Sequence, residues 1–244
     1  MIGLSLFSGI GGLEKAVEEY VDTKHYCETN PFCQKVLKCR MESGDLSQGT
    51  IWGDVKTISK KEIGHVDIIT AGFPCQDISI AIVGKGLEGE RSGLFFEIIR
   101  LAKEIKPPFL FIENVPAITS RGGKRVVSEI AELGYDCRWC IISASSLGAP
   151  HQRKRFFLLA HTQGERCASR SSLPEPKEKG QPRPNNKIEC DVSNPWQESP
   201  SPLLRVDDGV SNRVDRTHVL GNAVVPLQAK VAFKYLCGLG KTAV

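Results

Sequence analysis

Two hydrophobic periods alternate along this chain, and the switches between them mark its elements. Ile2 to Leu6 is a short apolar run of strand type, and Leu13 to Tyr20 follows it with helical spacing. Lys24 to Glu28 predicts a second strand, after which Pro31 is placed to open a helix at its first turn. Val66 to Ala71 and Phe109 to Glu113 are continuous apolar runs, the pattern of strands buried on both faces. Between them, Leu94 to Lys106 has helical periodicity, stopped by Pro107 and Pro108. Arg125 to Leu133 predicts another helix ended by Gly134, and Tyr135 to Ser143 and Arg155 to His161 have strand composition. Strands alternating with helices predict an α/β, doubly wound mixed sheet with helices on both faces.

The pattern changes at residue 163. Residues 163–219 hold 7 of the 14 prolines, many Ser, Asn and Arg, and little periodicity. That length is too great for an ordinary connection, which predicts an irregular functional lobe. Regularity returns from Leu220, with a helix over about Pro226 to Leu236. The expected division is therefore a core over 1–162, a small lobe over 163–219, and a segment over 220–244 that returns to the core.

Charge follows the same division. Residues 1–150 carry 17 basic and 19 acidic side chains, whereas 151–244 carry 15 basic and 9 acidic. A basic C-terminal portion suits a polyanion such as nucleic acid. The chain has no apolar run long enough for a membrane span and no signal peptide at Met1 to Leu6, so a cytoplasmic location is expected. Its nine cysteines are odd in number and scattered, as reduced thiols are. Cys137 and Cys140 form a CxxC, but in a strand they face opposite sides, and no metal site is expected.

The candidate chemistry lies at strand ends. Gly72-Phe73-Pro74-Cys75-Gln76 puts a thiol in a sharp turn after a buried strand, opening into a glycine-rich loop over 76–92. That placement suits a nucleophile. Glu113 and Asn114 end another apolar strand in the same crevice, where a dry carboxyl can donate a proton near neutral pH. His151, Arg153 and Arg155, read as alternate positions of one strand, would present cationic forks to one side. Phe7-Ser8-Gly9-Ile10-Gly11-Gly12 joins the first strand to the first helix, with glycines that allow a ligand close to the backbone. Glu28 is placed to accept from ribose hydroxyls, and Asp54 from an exocyclic amine. Together these describe a site for a nucleoside-containing cofactor. The glycine spacing is not GxGxxG, which disfavours a nicotinamide dehydrogenase.

In order, the Phe7–Gly12 turn, the Gly72–Gln76 turn, Glu113-Asn114-Val115, His151-Gln152-Arg153-Lys154-Arg155 and Gly221-Asn222-Ala223-Val224-Val225-Pro226 resemble the motifs of C5-cytosine DNA methyltransferases. Gly86 to Phe96 extends the match. The resemblance implies a Rossmann-like, class I S-adenosylmethionine-dependent methyltransferase fold with a small irregular recognition lobe, of a compact phage-like or prophage-like type. It implies transfer of a methyl group from S-adenosylmethionine to C5 of a flipped-out cytosine. Cys75, carried after Pro74, would add to C6 of the base, and Glu113 would protonate N3. Arg153 would meet the base O2, with Arg155 in support and Asn114 orienting the Pro74-Cys75 turn. The cofactor would be held by Phe7, Gly9, Gly11, Gly12 and Leu13, by Glu28, Asp54 and Val55, and by Asn222 and Val224. Gln76, Ser79, Lys85 and Arg91 would meet DNA. Double-stranded DNA is the implied partner of a monomer, with a cognate restriction endonuclease as a candidate neighbour.

The chain also departs from the family pattern. Ser5 stands where Asp is frequent, His151 where Gln is, and Asn30 where an Asp often follows the ribose-binding Glu. Ala81 to Lys85 is less basic than is usual. Only 65 residues separate Arg155 from Gly221, a short span for a recognition domain. That span leaves tRNA as an alternative substrate, and a non-catalytic DNA-binding protein as an alternative of another class.

Overall fold

The computed structural model describes residues 1–74, 93–162 and 223–239. Its strands are β1 (Ile2–Leu6), β2 (Asp22–Cys27), β3 (Thr50–Trp52), β4 (Ile68–Gly72), β5 (Phe109–Asn114), β6 (Tyr135–Ile142) and β7 (Arg155–Thr162). Its helices are α1 (Gly12–Val17), α2 (Pro31–Glu42), α3 (Lys60–Ile63), α4 (Gly93–Ile105), α5 (Ile118–Arg121), α6 (Gly123–Glu132) and α7 (Pro226–Leu236). The strands form one sheet in the order β3-β2-β1-β4-β5-β7-β6. β1 to β5 are mutually parallel, and β7 runs antiparallel to both β5 and β6. The predicted doubly wound mixed sheet is the observed one.

The continuous apolar strands are buried on both sides. In β5, Leu110 and Ile112 enter one core and Phe109 and Phe111 the other. In β7, Phe156, Leu158 and Ala160 face the first core, and Phe157 and Leu159 the second. α4 covers the first face with Phe95, Ile98, Leu101, Ala102 and Ile105, one stripe at helical spacing. α1 and α7 cover the second. Phe233 of α7 meets Phe111 edge-on at 5.1 Å between ring centres, and Phe157 stacks on Phe111 at 5.9 Å. These rings seat α7 on the sheet far from its sequence neighbours.

The chain winds from β1 out to β3 on one side and from β4 outward on the other, so the strand order reverses between β1 and β4, with α1 and α4 on opposite faces. In such sheets a crevice opens at that point, beyond the carboxyl ends of the strands.

Most element boundaries fall within a few residues of their expected places. α1 stops at Val17 rather than Tyr20, where Tyr20 N–H and Val21 N–H both turn back to the Val17 carbonyl. β3 is three half-exposed residues at the sheet edge, too short to carry an alternation signal. One expectation is corrected. His151 and Arg153 do not belong to a strand, because the ladder begins at Arg155, paired with Ile142. Residues before it are held differently: the Gln152 carbonyl accepts from Ala144 N–H and from Ser143 Oγ. Arg153 has φ 25, outside the extended region, so strand alternation does not govern its side chain.

Candidate active site

The cleft at the strand ends has a volume of about 630 Å³, within the usual range for a small-molecule site. Phe7 to Ile10, Gly12 and Leu13 line it from the β1–α1 turn, Cys27 to Asn30 from the end of β2, and Asp54 and Val55 from the end of β3. Gly72 to Pro74 contribute from the end of β4, Glu113 to Val115 from β5, and Arg155 from β7. Cys33 of α2, Leu94 of α4, and Ala223 and Val224 from before α7 complete the lining.

The β1–α1 turn is built from left-handed backbone. Phe7, Gly9 and Gly11 have φ of 58, 56 and 85. Ser8 N–H donates to the Cys27 carbonyl at 3.0 Å, and Gly9 N–H to Glu28 Oε2 at 2.8 Å. Asn30 N–H donates to Glu28 Oε1 at 2.7 Å. Each Glu28 oxygen therefore keeps a lone pair for a ligand hydroxyl. Asn30 itself caps α2, its Oδ1 accepting from Phe32 N–H at 2.8 Å and Cys33 N–H at 3.3 Å. Asp54 Oδ1 accepts from Lys56 N–H at 2.9 Å, which orients the carboxylate at the cleft edge.

Gly11 does not face the cleft. A Cβ there would stand 2.5 Å from Leu46 and 3.2 Å from Leu37, so its role is to let the turn sit down on α2. Gly12 is needed for the C-terminal segment, since a Cβ there would stand 2.9 Å from the Val224 carbonyl. Beneath the turn lies a buried polar group that the sequence did not reveal. Ser5 Oγ shares a hydrogen bond with Ser8 Oγ at 2.8 Å and donates to Glu14 Oε1. The carboxylate at the foot of the turn thus comes from α1. Burial pushes it up to about 7, against the Ser5 hydrogen bond.

At the other end of the cleft, Glu113 is 8% exposed. Burial pushes its carboxyl up to about 7, opposed by Arg155 and then Arg153. Arg155 Nε lies 3.0 Å from Glu113 Oε1. Gly72 is the direct partner of Glu113 in the β4–β5 ladder, and a Cβ on it would stand 3.3 Å from Glu113 Oε2. Asn114 Nδ2 donates to the Phe73 carbonyl at 3.0 Å, tying the end of β5 to the turn that carries Pro74. Arg153 sends Nη2 to the Ala223 carbonyl and does not line the cleft. Its backbone is fixed by Gln228 of α7, fully buried, whose Nε2 donates to the carbonyls of Arg153 and Ile142, both at 2.7 Å. Nothing in the local sequence marks Gln228; only its position on a helix otherwise apolar on that face hints at a buried partner.

Cys75, Gln76, Ser79, Lys85, Arg91 and Asn222 lie outside the described residues, as does the expected lobe over 163–219. Cys27 and Cys33 line the cleft, but burial pushes their thiols up to about 12 and 11, which disfavours the thiolate a nucleophile needs. Cys137 and Cys140 pack on opposite faces of the sheet, as alternation predicts.

The strand order and this cleft define a doubly wound α/β protein of the class I methyltransferase type. Residues 1–202 match the family described as C-5 cytosine-specific DNA methylase, and the chain belongs to that family. It is 36% identical over 159 residues to the type II methyltransferase M.CviJI of Paramecium bursaria Chlorella virus IL3A, covering 64% of this chain and 42% of that protein. It is 37% identical over 166 residues to the type II methyltransferase M2.BsuMI of Bacillus subtilis strain 168, covering 64% and 41%. A solved structure of a putative DNA modification methyltransferase encoded within an Escherichia coli prophage superposes with a TM-score of 0.53. There the identity is 25%, covering 66% of this chain and 47% of that one. The chain thus spans less than half the length of these relatives. Among the described residues, no helix is long and apolar enough to cross a membrane.

Proposed function

We propose that this chain transfers a methyl group from S-adenosylmethionine to C5 of cytosine in double-stranded DNA, through a covalent Cys75–C6 adduct on a flipped-out base. The observation that carries the reading is Glu113. It is a buried carboxyl with a pKa raised to about 7, paired with Arg155, in the wall of a nucleoside-sized cleft and tied through Asn114 to the turn before Cys75. Cytosine C5 is a weak nucleophile, and a protonatable acid at N3 beside a thiolate at C6 is what its activation requires.

The residues present fit the methyl donor. Glu28 offers two oriented oxygens to a ribose, Asp54 stands at the adenine end, and Gly12 lets the Ala223-Val224 segment close against the glycine turn. Bound there, S-adenosylmethionine would supply a methyl group from its sulfonium. Cys75 thiolate forms the bond to C6 while Glu113 gives its proton to N3. The C5 proton then passes to solvent, and the double bond is restored as the Cys75 sulfur leaves C6 as thiolate and N3 returns its proton to the Glu113 carboxylate. Arg155 holds Glu113 and faces the base, and Asn114 keeps the Pro74-Cys75 turn at the end of β5. Arg153 steadies the Ala223 segment that closes the cleft.

We assign residues 1–162 and 220–244 to the catalytic core and 163–219 to target recognition, with Gln76, Ser79, Lys85 and Arg91 toward the DNA. The protein acts as a monomer, and a cognate endonuclease is a candidate neighbour. Bisulfite sequencing of DNA from cells expressing the chain tests the reading, with purified duplex DNA and tRNA compared as methyl acceptors. Methylated cytosines in one sequence context are expected. Transfer to tRNA alone, or DNA binding without transfer, would replace the reading.

A further inference from the structure

The glycine turn is an unusual backbone, with three left-handed residues among five, one of them Phe7. Such a path persists only when its surroundings hold it. On the cleft side, Glu28 and the Cys27 carbonyl do so. On the far side, one side chain reaches both the Ile10 and the Gly11 carbonyls, the second of which also accepts from Lys15 N–H at 3.2 Å. Arg40, in the last turn of α2, donates from Nη1 to the Ile10 carbonyl and, at 3.3 Å, to the Gly11 carbonyl. Its own Nε donates to Asp45 Oδ2 at 2.7 Å, and Asp45 Oδ1 lies 3.0 Å from Lys15 Nζ on α1. The side chain of Arg40 is 23% exposed and packs 3.3 Å from the position of a Cβ on Gly11.

From this bracing, and building on the function proposed above, we propose that Arg40 is a positioning residue for the S-adenosylmethionine site. It fixes, from behind, the two peptide planes whose other side is the floor of the cleft. Ile10 and Gly12 line the cleft on either side of Gly11, and a peptide plane pinned at its carbonyl cannot rotate its far edge. The geometry requires an arginine. Its planar fork reaches the turn with Nη1 and Asp45 with Nε at once, whereas a lysine ammonium is a single point that can serve only one of them well. Asp45 in turn links Arg40 to Lys15, so α1 and α2 close on the turn together.

The test is calorimetric titration of the full chain with S-adenosylmethionine, alongside thermal melting and amide hydrogen exchange at residues 9–12. Arg40→Ala is expected to raise Kd about tenfold, as loss of a charged hydrogen bond would, and to speed exchange in the turn. Arg40→Lys should recover part of the affinity. Asp45→Asn, at a partly exposed position that keeps the side chain's size, should raise Kd about threefold. If Arg40→Ala lowers the melting temperature but leaves both Kd and exchange as in the wild type, Arg40 merely holds α2 and the inference falls while the proposed function stands. Should Arg40→Ala fail to fold, an unchanged Kd in Asp45→Asn overturns it equally. A wild-type chain that does not bind the ligand overturns both.

Discussion

Arg155 Nε and Glu113 Oε1 lie 3.0 Å apart in the cleft wall, an ion pair that opposes what burial does to the carboxyl. Burial raises its pKa to about 7, and Arg155 is the largest influence holding it down. In the proposed reaction Glu113 works protonated. Activity should therefore fall as pH rises through about 7, on an alkaline limb set by this group. Arg155→Met should move that limb upward, because the charge that favours ionisation is gone. Glu113→Gln should lower kcat at least about hundredfold. The pH profile of kcat/KM checks all three, and a limb that stays put in Arg155→Met would count against the pairing.

Glu14 leads to a prediction about stability. Burial raises its folded pKa from 4.5 to about 7. The folded state therefore binds the proton more tightly than the unfolded chain. That stabilisation is complete below pH 4.5 and is lost as pH rises through about 7. The Glu113 shift acts in the same direction. Glu14→Gln keeps an acceptor for Ser5 Oγ and carries no charge. It should be more stable than the wild type at pH 8, by up to about 3 kcal/mol, and no more stable at pH 4. Urea unfolding across that range measures the difference.

Gly12 sets how closely the C-terminal segment approaches the glycine turn. Gly12→Ala would put a methyl 2.9 Å from the Val224 carbonyl, a backbone atom that cannot swing aside. The expected cost is about 1–3 kcal/mol, with weaker binding of S-adenosylmethionine. Melting and titration of the same sample separate the two effects.

Asn114 Nδ2 reaches the Phe73 carbonyl, two residues before Cys75. Asn114→Ala should cost about 1–3 kcal/mol by leaving that buried carbonyl without its donor. It should slow methyl transfer more than it weakens cofactor binding. Equal loss of both would place the effect in the core instead.

Cys75→Ala should abolish methyl transfer and leave cofactor binding near that of the wild type. A duplex carrying 5-fluorocytosine should trap the wild-type enzyme, since fluorine cannot leave C5 as a proton does. Peptide mass spectrometry should find the adduct on Cys75, and an adduct elsewhere would sink the proposed mechanism.

The strands and most helices of the core could be read from the sequence, because their signals are local. β4 and β5 are buried on both faces, and an unbroken apolar run states that directly. The glycines of the Phe7–Gly12 turn and the carboxyls at strand ends were equally visible, since the chemistry of each stands next to the element that carries it. β3 went unseen because three edge residues hold no period, and Arg153 was misplaced because the alternation rule was extended beyond the last ladder pair.

What the sequence determined by itself was the order of strands and helices and the residue types at the strand ends. Tertiary structure alone decided how those residues act. Gln228 reaches the Ile142 carbonyl across 86 positions of chain, Arg40 reaches Ile10 across 30, and Val224 rests on Gly12. The raised pKa of Glu113 is likewise a property of its burial among distant elements rather than of the residue. The reason is physical: periodicity reports which face of an element is dry, whereas hydrogen bonds and desolvation depend on which distant element packs against it.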